Sequence, residues 1–218
     1  MPKTKKPMRR PGRATNIEEV RRLIAGCGRG NAAIRNAAFI SLCFGAGLRC
    51  AEALSLVPRD IERRPDGGIL VTVVSGKGNK SRKVALVPEF FGPIQRWLVH
   101  RRTLGITDKS PVICGITKST KNNELGGSRN SFGKPISHES MRLTVGRLAE
   151  KAGIVQRIHI HGFRHGLATS MAQAGVELRA ISAQLGHSST SITDTYLAKI
   201  CPDQLIDAVA IIGIAKPT

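Results

Sequence analysis

Apolar residues recur at helical spacing along most of this chain and crowd into a strand-like run in one short stretch. Val20, Leu23 and Ile24 share one helical face, and Thr15-Asn16-Ile17-Glu18 ahead of them has capping-box spacing. The spacing predicts a first helix that opens at Thr15 and closes at Gly26 or Gly28. A second is expected from Asn31 through Ile34, Ala38 and Leu42 to about Phe44. A third follows Gly45-Ala46-Gly47, carries Leu48 to Leu56 and is closed by Pro58. The texture then changes. Ile69-Leu70-Val71-Thr72-Val73-Val74 and Arg82-Lys83-Val84-Ala85-Leu86-Val87 flank the turn-rich Ser75-Gly76-Lys77-Gly78-Asn79-Lys80, which predicts a β-hairpin.

Beyond the hairpin, Pro88 to Leu104 reads as a helix, Pro111 to Cys114 as a short strand, and Thr117 to Pro135, rich in Gly, Ser and Asn, as a long loop. Ser137 is placed to cap a helix that ends before Gly153, with others near 162–174 and 177–185 and a turn-and-helix region around Tyr196. The expected fold class is therefore α+β, mainly helical, with a small antiparallel sheet or hairpin. Residues 1–14 carry Lys3, Lys5, Lys6, Arg9, Arg10 and Arg13 among prolines with no acid, so a disordered basic arm is expected there. The main domain then covers 15–201. A tail helix covers 202–218; the apolar run Leu205 to Ile214 needs a partner surface, on its own domain or on a neighbouring protomer.

Composition sharpens the functional side. The 218 residues hold 34 Lys and Arg against 15 Asp and Glu, a formal charge of +19, and this self-repelling balance is best relieved by a polyanion. No apolar run approaches the roughly 20 residues that span a bilayer, and the basic, proline-punctuated start is not a secretory signal, so a cytoplasmic protein with no membrane partner is expected. Cys27, Cys43, Cys50, Cys114 and Cys201 are odd in number, spread out and without a C-x-x-C pair, which suggests reduced thiols. Aromatic residues are only 4% of the chain, which argues against base-stacking platforms for single strands and for a grip on duplex phosphates.

Taken singly, the chemistry-bearing residues say little. Arg49 reads as a surface arginine paired with Glu52 a helical turn away. Lys77 sits in a glycine-rich turn, but the phosphate-loop pattern needs Gly before its lysine, whereas Asn79 precedes Lys80. His161 and His165 have a metal-binding spacing, yet the Glu of H-E-x-x-H is missing and Arg164 between them would repel a dication. His187 reads as a helix cap, and Tyr196, the chain's single tyrosine, as a packing anchor in a segment too polar to be core.

Together these positions closely resemble the tyrosine recombinases, or phage integrases, with motif wording nearest the bacterial chromosome-dimer recombinases. G-L-R-x-x-E-x-L spans residues 47–54, G-K-G-N-K-x-R-x-V spans 76–84, and H-x-x-R-H-x-x-A-T spans 161–169. L-G-H-S-S then precedes Tyr196, nine residues after His187. The resemblance implies the family's catalytic-domain fold and cleavage and rejoining of duplex DNA through a 3′-phosphotyrosyl intermediate. It makes Arg49 and Arg164 the catalytic arginines, Lys77 the hairpin lysine (Lys80 and Lys83 its fallbacks), His161 and His187 the two histidine-class positions, and Tyr196 the nucleophile. No metal and no cofactor is implied. The chemistry suits these residue types, because two guanidiniums can fork onto nonbridging oxygens where negative charge accumulates, and a lysine can protonate the departing 5′ oxygen.

The same resemblance implies double-stranded DNA as partner, a homo-oligomer on DNA that is a tetramer in the synapse, accessory DNA-bending proteins, and a nucleoid location if the source is prokaryotic. Lys80, Arg82 and the arm residues Lys3, Lys5, Lys6, Arg9 and Arg10 are expected to touch DNA. Many family members begin with a helical clamp domain of about one hundred residues. Here the first helix comes almost at once, as in the short fimbrial phase-variation recombinases, and the arm is expected to substitute in part. Phe163 and Gly166 replace residues more usual in the family; Gly166 inside a helix costs about 1 kcal/mol relative to Ala, which close backbone packing would explain. Two rival readings are weighed: a catalytically silent DNA-binding accessory protein that kept the fold, and a type IB topoisomerase, which shares the chemistry but relaxes supercoils and is disfavoured by the L-G-H-S-S wording.

Overall fold

From Ala38 onward the helix Asn31–Gly45 is buried on every side, with Ala38, Phe39, Ile40, Leu42, Cys43 and Phe44 fully buried, so that half lies at the centre of the molecule. The computed structural model describes residues 13–74, 81–118, 130–186 and 209–210. In chain order α1 (Ile17–Gly26) and α2 (Asn31–Gly45) are followed by the short α3 (Cys50–Ser55) and by strands β1 (Ile61–Arg63), β2 (Ile69–Val74) and β3 (Ser81–Ala85). Then come α4 (Phe91–Thr103), α5 (His138–Lys151), α6 (Ile160–Gln173) and α7 (Leu178–Leu185). Helices α1, α4 and α6 pack on α2, and α7 packs on α6 and β3. The strands form one antiparallel sheet in the order β1-β2-β3, so the fold is the expected mainly helical α+β arrangement. Among the described residues no helix is long and apolar enough to cross a membrane.

The first helix starts one residue later than its sequence pattern suggests. Asn16, not Thr15, is the cap: its side chain accepts from the Glu19 N–H at 2.9 Å, and Glu19 accepts from the Asn16 N–H at 3.1 Å. Thr15 is engaged elsewhere, buried with its N–H donating to the Gly162 carbonyl at 2.9 Å. At that crossing Gly166 meets the same segment so closely that a Cβ would lie 1.9 Å from the Thr15 carbonyl oxygen and 3.0 Å from the Phe44 ring. Close backbone packing is therefore the reason for a glycine inside α6.

Two elements differ in kind. The strand expected over Pro111–Cys114 is absent, because its polar backbone is drawn into other contacts. Val112 donates to the Leu56 carbonyl and accepts from the Trp97 indole, each at 2.6 Å, and only single bridges join Cys114 to Pro135 and Gly115 to Phe132. In the same region the buried Arg101 donates to the carbonyls of Thr107, Ser110 and Pro111 and gathers the loop beneath α4. Strand β1, in contrast, is present though its three residues show no apolar alternation. It forms because Ile61 pairs with Val71 and Arg63 with Ile69 across a turn in which Asp66 accepts from the Gly68 N–H at 2.8 Å.

The third helix is also shorter than expected. It begins at Cys50, with Gly47 at φ +65° and Arg49 in extended conformation as its flanking residue. Of the tail, Val209 and Ala210 are helical, and Val209 is fully buried in the core of its own chain.

Candidate active site

The turn Ala46–Arg49 carries the first arginine. Gly47 is required there twice over: its φ is positive, and a Cβ would lie 2.8 Å from a methyl of Leu167 and 3.0 Å from one of Leu185. The consequence is that Arg49 leaves the turn at the mouth of α3 with its side chain about half exposed. Glu52 holds it from both ends. One carboxylate oxygen accepts from the Arg49 backbone N–H at 2.9 Å and the other from its guanidinium at 3.0 Å. The surface ion pair expected from the spacing is thus real.

Arg164 reaches the same turn from α6. It is 2% exposed, and it donates one guanidinium N–H to the Gly47 carbonyl at 2.8 Å and another to the Leu185 carbonyl. A single side chain therefore ties α6 to the turn before Arg49 and to the end of α7. Burial pulls its pKa down to about 10, and the charges of Arg49 and Arg82 act in the same direction against Glu52. At neutral pH it stays charged, so positive charge is held in place without a carboxylate hydrogen-bonded to it.

Arg82 of β3 completes the group. Its guanidinium donates to Glu52 at 3.0 Å, on the oxygen that also caps Arg49. Burial alone would raise the Glu52 carboxyl, but hydrogen bonds from Arg82 and from the Arg49 backbone, the Arg82 charge and the hydrogen bond from the Arg49 guanidinium bring it below its ordinary value. Gly186, at φ +61°, lies over the Arg82 side chain; a Cβ there would be 2.4 Å from Nε. Gln184 fastens the same end of α7. It accepts from the Ala85 N–H at 3.1 Å and donates to the carbonyls of Ala85 at 2.6 Å and Ala46 at 3.2 Å.

His161 is exposed in the first turn of α6, with its ring edge-on to His165 at 4.4 Å between centroids. It shares that helix with Arg164 and lies beside Gly162, against which Arg13 and Thr15 pass. Lys77, Lys80, His187 and Tyr196 lie outside the described residues, as do Lys3, Lys5, Lys6, Arg9 and Arg10. The described chain stops at Val74 and resumes at Ser81, which pair with one another, and it stops again at Gly186 beside Arg82. Lys83 faces Glu62 of β1 at 3.1 Å.

Of the residues singled out in the sequence, Arg49, Arg82 and Arg164 are gathered around one carboxylate, Glu52. Sequence reasoning saw Glu52 only as a partner of Arg49, and it gave Gln184 no role. The glutamate of G-L-R-x-x-E was a usable signal, since a carboxylate inside an arginine motif needs a reason. Nothing local marks Gln184.

Known proteins resemble this chain over most of its length. The chain is 32% identical over 176 residues to tyrosine recombinase XerC of Bradyrhizobium diazoefficiens, covering 81% of this chain and 49% of that protein. It is 31% identical over 195 residues to XerC of Vibrio vulnificus, covering 89% of this chain and 55% of the relative. It thus spans about half the length of the curated relatives it matches. Among solved structures, the XerH site-specific recombinase bound to its difH substrate in a pre-cleavage complex shares the fold. The TM-score is 0.62 at 23% identity, over 84% of this chain and 49% of that one. The model of the phage integrase family matches residues 14–200, a range that holds all of the gathered side chains, and the chain belongs to that family.

Proposed function

We propose that this chain is a site-specific DNA recombinase of the integrase type, which cleaves and rejoins duplex DNA through a 3′-phosphotyrosyl intermediate. The observation that carries the reading is a pair of guanidiniums fixed about the turn at Gly47: Arg164, held by carbonyls with no carboxylate hydrogen-bonded to it, and Arg49, half exposed beside its single partner Glu52. Such a cluster suits a pentavalent phosphorane, where charge on the nonbridging oxygens grows toward the transition state. The Tyr196 hydroxyl attacks the scissile phosphorus, the bond to the 5′ oxygen breaks, and Lys77 protonates that oxygen as it leaves. An unperturbed phenol has a pKa of about 10, so the arginines also favour its anion, with His161 accepting or relaying the proton. His187 donates a hydrogen bond to the phosphate. A free 5′ hydroxyl of a partner duplex then displaces the tyrosine and restores a phosphodiester, so the bond energy is conserved.

The roles of Lys77, His187 and Tyr196 rest on the motif resemblance. Double-stranded DNA as the partner is supported by the +19 charge and by relatives such as the DNA-bound XerH recombinase. Assembly as a homo-oligomer on DNA and a cytoplasmic, nucleoid-associated location belong to the same reading. So does the basic arm 1–14, whose end at Arg13, together with Thr15, passes α6 beside His161. The decisive experiment incubates the chain with nicked suicide duplexes selected for binding from a randomised pool. A covalent protein-DNA band with wild type, absent with Tyr196→Phe, is expected; relaxation of a plasmid without any selected site would point to a topoisomerase instead.

A further inference from the structure

Arg82 is the residue whose position its sequence explains least. It stands two places beyond the glycine-lysine turn, where a basic side chain is expected to face DNA. Yet its side chain is only 23% exposed, and its guanidinium is turned inward onto Glu52 at 3.0 Å. Its Nε is buried with no hydrogen-bond partner among the described residues, covered by Gly186. A buried donor without a partner costs free energy, so this orientation needs a compensating return.

We infer that Arg82 is a positioning residue for the strand-cleavage reaction: it occupies one oxygen of Glu52 so that Arg49 keeps an outward, partly uncompensated guanidinium for the phosphate. The inference rests on the recombinase reading above. Two physical points carry it. Glu52 is the carboxylate hydrogen-bonded to Arg49, and Arg82 fills the second acceptor position of the oxygen that caps the Arg49 N–H, a position that the Arg49 guanidinium would otherwise compete for. Arg82 also sits where three pieces meet: β3 directly after the segment carrying Lys77, the mouth of α3 with Arg49, and Gly186 directly before His187. One guanidinium packed among all three sets their relative placement, and a displacement of about 1 Å at such a site can cost about a hundredfold in rate.

The test compares wild type, Arg82→Gln and Arg82→Lys on the selected suicide duplexes. It measures the single-turnover rate of adduct formation at saturating duplex, the duplex affinity and its salt dependence, and the melting temperature. Arg82→Gln is expected to lower the saturated rate by about tenfold to a hundredfold while leaving affinity within about threefold and the salt slope unchanged. Arg82→Lys, which keeps the charge and one donor to Glu52, is expected to regain part of the rate. An affinity loss with a smaller salt slope and an unchanged saturated rate would make Arg82 a DNA contact and overturn the inference. An unaltered rate, or a glutamine variant that fails to fold with a lysine variant no faster, would overturn it too. Absence of any Tyr196-dependent adduct with wild type would instead remove the recombinase reading, and this inference with it.

Discussion

The Arg164 guanidinium and the Gly47 carbonyl, 117 positions apart in the chain, meet at 2.8 Å. The second contact, to the Leu185 carbonyl, makes Arg164 the brace between α6, the turn that presents Arg49, and the end of α7. A lysine carries the charge but has a single ammonium on a flexible stem and cannot replace a planar fork that bonds two carbonyls at once. Arg164→Lys is therefore expected to lower Tyr196-dependent cleavage by about a hundredfold or more. A near-normal rate in single-turnover assays would show that charge alone suffices.

Gly166→Ala sets helix propensity against packing. Alanine favours the helix by about 1 kcal/mol, but its Cβ would lie 1.9 Å from the Thr15 carbonyl, a backbone atom that cannot swing aside. Overpacking of this kind costs about 1–3 kcal/mol, so the variant should be less stable in denaturant titrations. A gain in stability would show that the segment Arg13–Thr15 lifts off α6 freely.

Glu52→Gln should act through pH. The Glu52 carboxyl is depressed in the folded chain, so as the pH falls the unfolded chain takes up its proton first. The stabilisation is therefore complete above the ordinary carboxylate value of 4.5 and is lost as the pH falls through the depressed value. Wild type should exceed the variant by about 1–2 kcal/mol at neutral pH, allowing for partial solvent screening. The gap should close in acid. A gap independent of pH between 3 and 7 would mean that the carboxylate charge is not what holds the two arginines.

Gln184→Leu keeps the volume of a fully buried side chain but strands the Ala85 N–H and the Ala46 carbonyl. A loss of about 1–3 kcal/mol is expected from the unpaired groups. Because Gln184 fastens α7 two residues before Gly186, adduct formation should slow as well. Thermal melts and the suicide-duplex assay read the two effects separately.

Cys27, Cys43, Cys50 and Cys114 should be slow nucleophiles in the folded chain. Burial raises Cys27 and Cys50 to about 11, lifts Cys43 well above its ordinary value and raises Cys114 against the opposing charges of Arg101 and Arg35. Less thiolate is then present at pH 8, so iodoacetamide should label these four mainly after unfolding. Fast labelling of Cys50 without denaturant would reveal opening beside Arg49.

What the sequence determined by itself was whatever local periodicity and residue chemistry encode. The centres of all the helices now described were legible from their apolar spacing, as were the hairpin strands from their β-branched runs and the Ser137 cap from its position before α5. So was the family, because Arg49, Lys77, His161, Arg164, His187 and Tyr196 follow one another in the order of its motifs. The tertiary structure decided what depends on segments distant in the chain. Strand β1 exists only because β2 offers Val71 and Ile69 as partners, and Thr15 yields the cap to Asn16 because its backbone is bound to Gly162. Arg82 turns inward because Glu52 lies across from it, 30 positions away. The direction of a side chain is set by the energy of the neighbours it meets, and those neighbours are assembled only when the chain has folded.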